Sequence, residues 1–196
     1  LVELHRVGQK IKDDLAQRPL ICGNMRKVGS QRHAHDHSFT IGLRLHERDT
    51  FRNDAIGVDV MEITLRHAAG LPAIEAVARH VPRMRVGAGT VTRAHEMRQV
   101  QEAGAQFALS PGMTESLVRA AHDCQLPFMP GVMTPGEVMQ ARDWGFQLVK
   151  LFPAAQAGGL SMLKALSGPL ADMSFCPTGG VSSGNLLDFL NLPNVL

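Results

Sequence analysis

From Val58 onward the chain alternates between short apolar runs and longer stretches rich in Ala, Leu, Met, Glu and Arg. The runs Val58 to Leu65, Arg85 to Val91, Phe107 to Ser110, Phe128 to Val132, Leu148 to Phe152 and Met173 to Thr178 predict strands. The stretches Ala69 to His80, Arg93 to Ala103, Glu115 to Asp123, Pro135 to Trp144 and Gly159 to Leu166 predict helices. Strands joined by helix-length connections run parallel with right-handed crossovers, which leaves a (β/α) barrel or an open doubly wound sheet.

The polar residues decide between these. Along a strand, alternate side chains share a face, so one parity points into a barrel and the other packs on helices. Val60, Glu62 and Thr64 share one face, followed by Arg66, while Met61, Ile63 and Leu65 are uniformly apolar. The run Leu148 to Pro153 repeats the arrangement, with Lys150 flanked on its own face by Leu148 and Phe152. Thr90 and Ser110 put further polar atoms near strand C-termini. Barrel enzymes carry their chemistry at that rim, which favours the (β/α) barrel.

Composition narrows the ligands. The 196 residues are 44% hydrophobic and 19% charged, as expected of one globular domain. Twenty Lys and Arg against 18 Asp and Glu leave +2, too balanced to predict a nucleic-acid or membrane partner, so a small-molecule substrate is expected. Three cysteines, Cys22, Cys124 and Cys176, match neither a disulfide framework nor a zinc ribbon, which favours a reducing, cytoplasmic setting. The first 20 residues form no signal peptide and no later stretch reaches membrane-spanning length.

A lysine in the middle of an apolar strand has no easy route to water, and burial penalises its ammonium form. The neutral amine is a nucleophile that condenses with a ketone to a Schiff base, whose protonated nitrogen stabilises a carbanion on the neighbouring carbon. Lys150 is therefore the candidate nucleophile. Glu62, on another strand at the same barrel end and expected to be partly buried, is the candidate general acid and base. The competing structural reading is an internal Lys150–Glu62 ion pair without catalysis. Arg66 and Thr90 offer a guanidinium fork and a hydroxyl for the carboxylate of a small keto acid. Thr178-Gly179-Gly180 follows a strand and precedes a helix predicted to open at Ser182 or Ser183, an arrangement that presents N–H groups and a helix dipole to a phosphate.

Several segments, in order and at the right spacing, resemble the 2-keto-3-deoxy-6-phosphogluconate (KDPG) aldolase family. They are Gly57 to Arg66, Val86 to Val91, Ala103 to Gly112, Pro130 to Val132, Val149 to Ala154 and Phe175 to Val181. The resemblance, which runs from about Gly57 to Leu196, implies a class I aldolase on a TIM barrel. It implies that Lys150 is the Schiff-base lysine and that Glu62 acts through a bound water. Arg66 and Thr90 would hold the pyruvate carboxylate, Pro111 and Phe152 would wall the pyruvate pocket, and Gly179 and Gly180 would help bind the sugar phosphate. The implied reaction cleaves KDPG to pyruvate and glyceraldehyde 3-phosphate, the last step of the Entner–Doudoroff pathway. Cleavage of 2-keto-4-hydroxyglutarate to pyruvate and glyoxylate is a further implied activity. No metal or other cofactor is implied, and a homotrimer is.

Both ends depart from the family. A complete barrel has eight βα units, and the eighth strand is expected to be just starting at Asn194-Val195-Leu196, where the chain ends. Upstream, Lys10 to Ala16 looks like the family's leading helix and Pro19 to Cys22 like the beginning of a first strand. Between Gly23 and Ala55 neither helical nor strand periodicity is sustained. A single barrel domain over residues 1–196 is thus expected, incomplete at both ends, with 23–56 atypical and without fixed order. His33-Ala34-His35-Asp36-His37 has ligand spacing for a metal, but a solvated loop accounts for it more simply, since no further ligand is placed. The abrupt return of family-like sequence at Gly57 suggests a shifted reading frame upstream, which the coding DNA would reveal. Two other readings remain: an inactive remnant of such an aldolase, and a sugar-phosphate-binding barrel whose lysine never becomes covalent.

Overall fold

The computed structural model describes residues 60–196. The expectations for the leading helix, the first strand, the segment 23–56 and the His33 to His37 cluster fall outside the described residues. Strands β1 (Val60–Thr64), β2 (Arg85–Gly89), β3 (Ala108–Leu109), β4 (Phe128–Met129), β5 (Gly131–Val132), β6 (Leu148–Leu151) and β7 (Ser174–Pro177) are all parallel to their neighbours. Helices α1 (Gly70–His80), α2 (Ala94–Glu102), α3 (Glu115–Asp123), α4 (Pro135–Asp143), α5 (Gly159–Leu166) and α6 (Leu186–Leu190) alternate with them. Within a residue or two, five of the six helices match the stretches expected from sequence.

One predicted strand is divided. Phe128 to Val132 is a single extended run, but Pro130 has no N–H to give to the ladder and separates β4 from β5. The sheet order is therefore β1-β2-β3-β4 followed by β5-β6-β7. Pairing carries across the break: Ser110 N–H donates to Met129 O at 3.2 Å, and Lys150 N–H donates to Pro130 O at 2.9 Å. At the far side, Val195 forms a parallel bridge with Phe175, framed by Phe175 N–H to Asn194 O and Leu196 N–H to Phe175 O. The expected start of a further strand is at that place.

The two faces of the sheet are chemically distinct. Val86, Ala88, Val149, Leu151 and Phe175 of the strands are fully buried with Ile74, Met97, Val100, Val138 and Leu163 of the helices. Met61, Ile63 and Leu65 pack on this outer core. Val60, Phe107, Leu109 and Met129 form a separate inner cluster with Leu148 and Cys176. That division is the alternation read from sequence, with Glu62 and Lys150 in phase with the inner set.

Caps fix where the helices begin. Thr114 accepts a hydrogen bond from Leu117 N–H at the start of α3. Thr134 and Glu137 form a reciprocal capping box at α4, which has Pro135 in its first turn. Partial burial pushes the Glu137 carboxyl up, but N–H donors from Met133 and Thr134 outweigh it and hold the group below its ordinary value of 4.5. A carboxylate so depressed contributes stability above its unfolded-state value and loses it as the pH falls through the folded one. Glu137→Gln should thus be less stable than the parent at neutral pH, with the gap closing as acidification protonates the folded-state carboxylate. Thr134→Ala should cost about 1 kcal/mol in urea unfolding.

Candidate active site

Lys150 lies in the middle of β6, between Gly131 of β5 and Cys176 of β7 in the pairing register. Val149 and Leu151 on either side of it are fully buried in the outer core, which directs Lys150 to the inner face. It is only 6% exposed, and its Nζ lies 5.3 Å from the centre of the Phe152 ring. Among the described residues no ion pair joins it to Glu62 or to any other carboxylate. The structural reading of a buried Lys150–Glu62 pair is therefore not supported.

Glu62 shares the inner parity but is exposed, contrary to the expectation of partial burial. The reason is its strand: β1 is the edge of its sheet among the described residues, with β2 on one side only. Its carboxylate does not project straight into the barrel; it lies across Gly89 of the neighbouring strand. Arg66, exposed in the turn after β1, forms no ion pair among the described residues.

Thr90 follows β2 with φ of +61°, a conformation rare for a β-branched residue and costing about 1–2 kcal/mol. Its effect is geometric. Strict alternation from Val86 and Ala88 would put Thr90 on the outer face and Val91 inside, yet Val91 is fully buried in the outer core. The left-handed residue breaks the phase at the rim, where strain of this kind commonly accompanies function.

Pro111 stands over β5: a Cβ on Gly131 would come within 2.3 Å of the Pro111 carbonyl carbon and oxygen. Only a glycine beside Lys150 lets the β3–α3 loop come this close. Ser110, 1% exposed, holds that loop by accepting the Gly112 N–H at 3.3 Å.

Thr178, Gly179 and Gly180 follow β7, with φ of +91° and +80° at the two glycines. Thr178 O and Gly179 O accept from Ala154 N–H and Ala155 N–H, which ties this loop to the one after Phe152. The helix expected at Ser182 or Ser183 begins instead at Leu186 and has only five residues. Asn185 accounts for the delay: its Oδ1 accepts the Ser182 N–H at 2.7 Å and its Nδ2 donates to Gly180 O at 3.0 Å, closing a turn first. The helix-dipole contribution expected there is lost, and the left-handed glycine pair is what remains of the expected arrangement.

Gly87, Gly89 and Gly131 have roles that sequence alone does not signal by residue type. A Cβ at Gly87 would lie 2.1 Å from the Phe107 ring, which fills the floor of the inner face. The signal for Gly87 and Gly89 is two glycines two positions apart in a strand, which marks close approach by neighbours on one face.

A parallel barrel-type sheet with helices on its outer face and a buried lysine on its inner face defines the class: a (β/α)-barrel protein. Residues 51–196 match the family model for KDPG and KHG aldolase, and the chain belongs to that family. It is 47% identical over 140 residues to the KHG/KDPG aldolase of Escherichia coli strain K12, across 71% of this chain and 66% of that protein. It is also 47% identical to the 2-dehydro-3-deoxy-phosphogluconate aldolase of Pseudomonas aeruginosa, spanning 64% of its length. The chain thus spans slightly less than two thirds of these relatives. The crystal structure of KDPG aldolase from Legionella pneumophila, with pyruvate captured as a covalent carbinolamine, has a TM-score of 0.70 and 43% identity, over 72% of this chain and 69% of that one.

The obstacle at Gly131 is main chain, which cannot swing aside. Gly131→Ala is expected to lose about 1–3 kcal/mol of stability by overpacking. Gly168→Ala, where a Cβ meets nothing within 4 Å, should change it by less than about 0.5 kcal/mol in the same urea titration.

Proposed function

We propose that this chain is a class I aldolase that cleaves KDPG to pyruvate and glyceraldehyde 3-phosphate, and 2-keto-4-hydroxyglutarate to pyruvate and glyoxylate. The observation that carries the reading is Lys150 itself, 6% exposed on the inner face without a carboxylate partner among the described residues. A buried lysine kept only for structure needs a counter-charge. Family membership and the relatives' names support the same reaction.

In this mechanism the Lys150 amine adds to the C2 ketone of the substrate, and loss of water gives a protonated imine. Glu62, through a bound water, takes the proton of the C4 hydroxyl as the C3–C4 bond breaks, and its electron pair enters the imine. The aldehyde leaves, the resulting enamine is protonated at C3, and water releases pyruvate and the free amine. Arg66 and the Thr90 hydroxyl hold the carboxylate, Pro111 and Phe152 confine the three-carbon unit, and Thr178, Gly179 and Gly180 receive the phosphate. No metal or organic cofactor takes part in these steps. A homotrimer in a cytoplasmic setting completes the proposal.

Incubation with pyruvate and borohydride, followed by peptide mapping, tests the reading directly. A reduced adduct confined to Lys150 and lost in Lys150→Ala is expected. A folded chain without adduct would reject covalent catalysis and leave the non-covalent barrel, whereas an unfolded one would favour the inactive remnant. Glu62→Gln should keep the adduct while turnover drops about 100- to 10,000-fold.

A further inference from the structure

We propose that Gly89 is a positioning residue for Glu62: the missing side chain on β2 is the space in which the Glu62 carboxylate sits. The inference rests on the aldolase reading above. In the β1–β2 register Glu62 faces Gly87, and Gly89 faces Thr64, one inner-face step nearer the strand ends. The Glu62 side chain leans along the strand direction and ends over that next position. A Cβ built on Gly89 would stand 1.8 Å from Glu62 Oε1, 2.6 Å from Cδ and 2.8 Å from Cγ. Any residue but glycine therefore excludes the outer half of the glutamate from its place.

What gives way distinguishes Gly89 from the other two inner-face glycines. At Gly131 the obstacle is the Pro111 main chain, and at Gly87 it is the Phe107 ring, 5% exposed and packed in the inner cluster. At Gly89 the obstacle is the far end of an exposed, flexible side chain. Alanine there displaces the carboxylate and spares the fold. Since general acid–base groups work only within about half an ångström of productive geometry, that displacement is a catalytic lesion. Gly89 also immediately precedes the strained Thr90, so the same short stretch sets the acid–base group and the break in strand phase.

The test uses the full chain with Gly89→Ala, and Gly168→Ala as the control. Borohydride trapping of pyruvate reports Lys150, whereas exchange of the pyruvate C3 protons in deuterium oxide requires the Schiff base and the acid–base group together. Gly89→Ala should retain its urea midpoint and its Lys150 adduct while C3 exchange drops at least 100-fold. In a Glu62→Gln background it should cost nothing further. Unchanged exchange in an adduct-forming Gly89→Ala overturns the proposal, as does an equal loss in the Glu62→Gln background. So does a Gly89→Ala chain that does not fold, because the space would then serve packing. Absence of adduct in the parent is a failure of the aldolase reading instead. Placement is then read from the carboxyl 13C shift of Glu62, which should move in Gly89→Ala and not in Gly168→Ala; an unmoved shift rejects the positioning role.

Discussion

The outward faces of the parallel strands are packed so completely against helices that the inward residues have no choice of side. Val86 and Ala88 on β2, Val149 and Leu151 on β6, and Phe175 on β7 have no exposed surface. Because strand side chains alternate, sliding β6 by one residue would bring the Lys150 ammonium into the helix layer and turn Val149 and Leu151 to the inner face. An uncompensated charge among apolar side chains costs several kcal/mol. Burial of the outer face thus holds the inner face in register, and every contact of the candidate site is inherited from it.

Within that frame the inner face is shaped as much by what is missing as by what is present. Phe107 occupies the space above Gly87, Glu62 that above Gly89, and the Pro111 main chain that above Gly131. Each occupant comes from another element, so three pieces of chain interlock through positions without side chains. The arrangement sets the Phe107 ring against β2, the Glu62 carboxylate over the end of β2, and the Pro111 main chain against β5 beside the buried Lys150. Close packing of this kind leaves little room for substitution, since even one methylene is felt in a filled interior.

Much of this was legible in the chain because the signals were redundant. Strand runs, helix stretches and the parity of Glu62 and Lys150 all pointed to one architecture, and each could be checked against the others. What escaped was decided by contacts at a distance. The break at Pro130 depends on which neighbours ask for an N–H, and the late start of α6 on an Asn185 side chain that closes a turn before the helix can begin. The phase reversal at Thr90 cannot be seen in a residue type that normally avoids it. The exposure of Glu62 goes with the edge position of β1 among the described residues, and a glycine does not announce which neighbour will fill its space. The segment 23–56 and the His33 to His37 cluster lie outside the described residues, so those expectations stand as they were.

Trp144, at the C-terminal end of α4, is the chain's one tryptophan; it is 39% exposed and has the Arg119 guanidinium of α3 5.6 Å from its ring. Its fluorescence therefore reports the packing of two adjacent helices on the outside of the sheet, while Lys150 and its neighbours face inward. The molecule carries a built-in optical probe whose signal follows the helical shell and is set apart from occupancy of the inner face. Unfolding of that shell can be followed by tryptophan emission, with no label added.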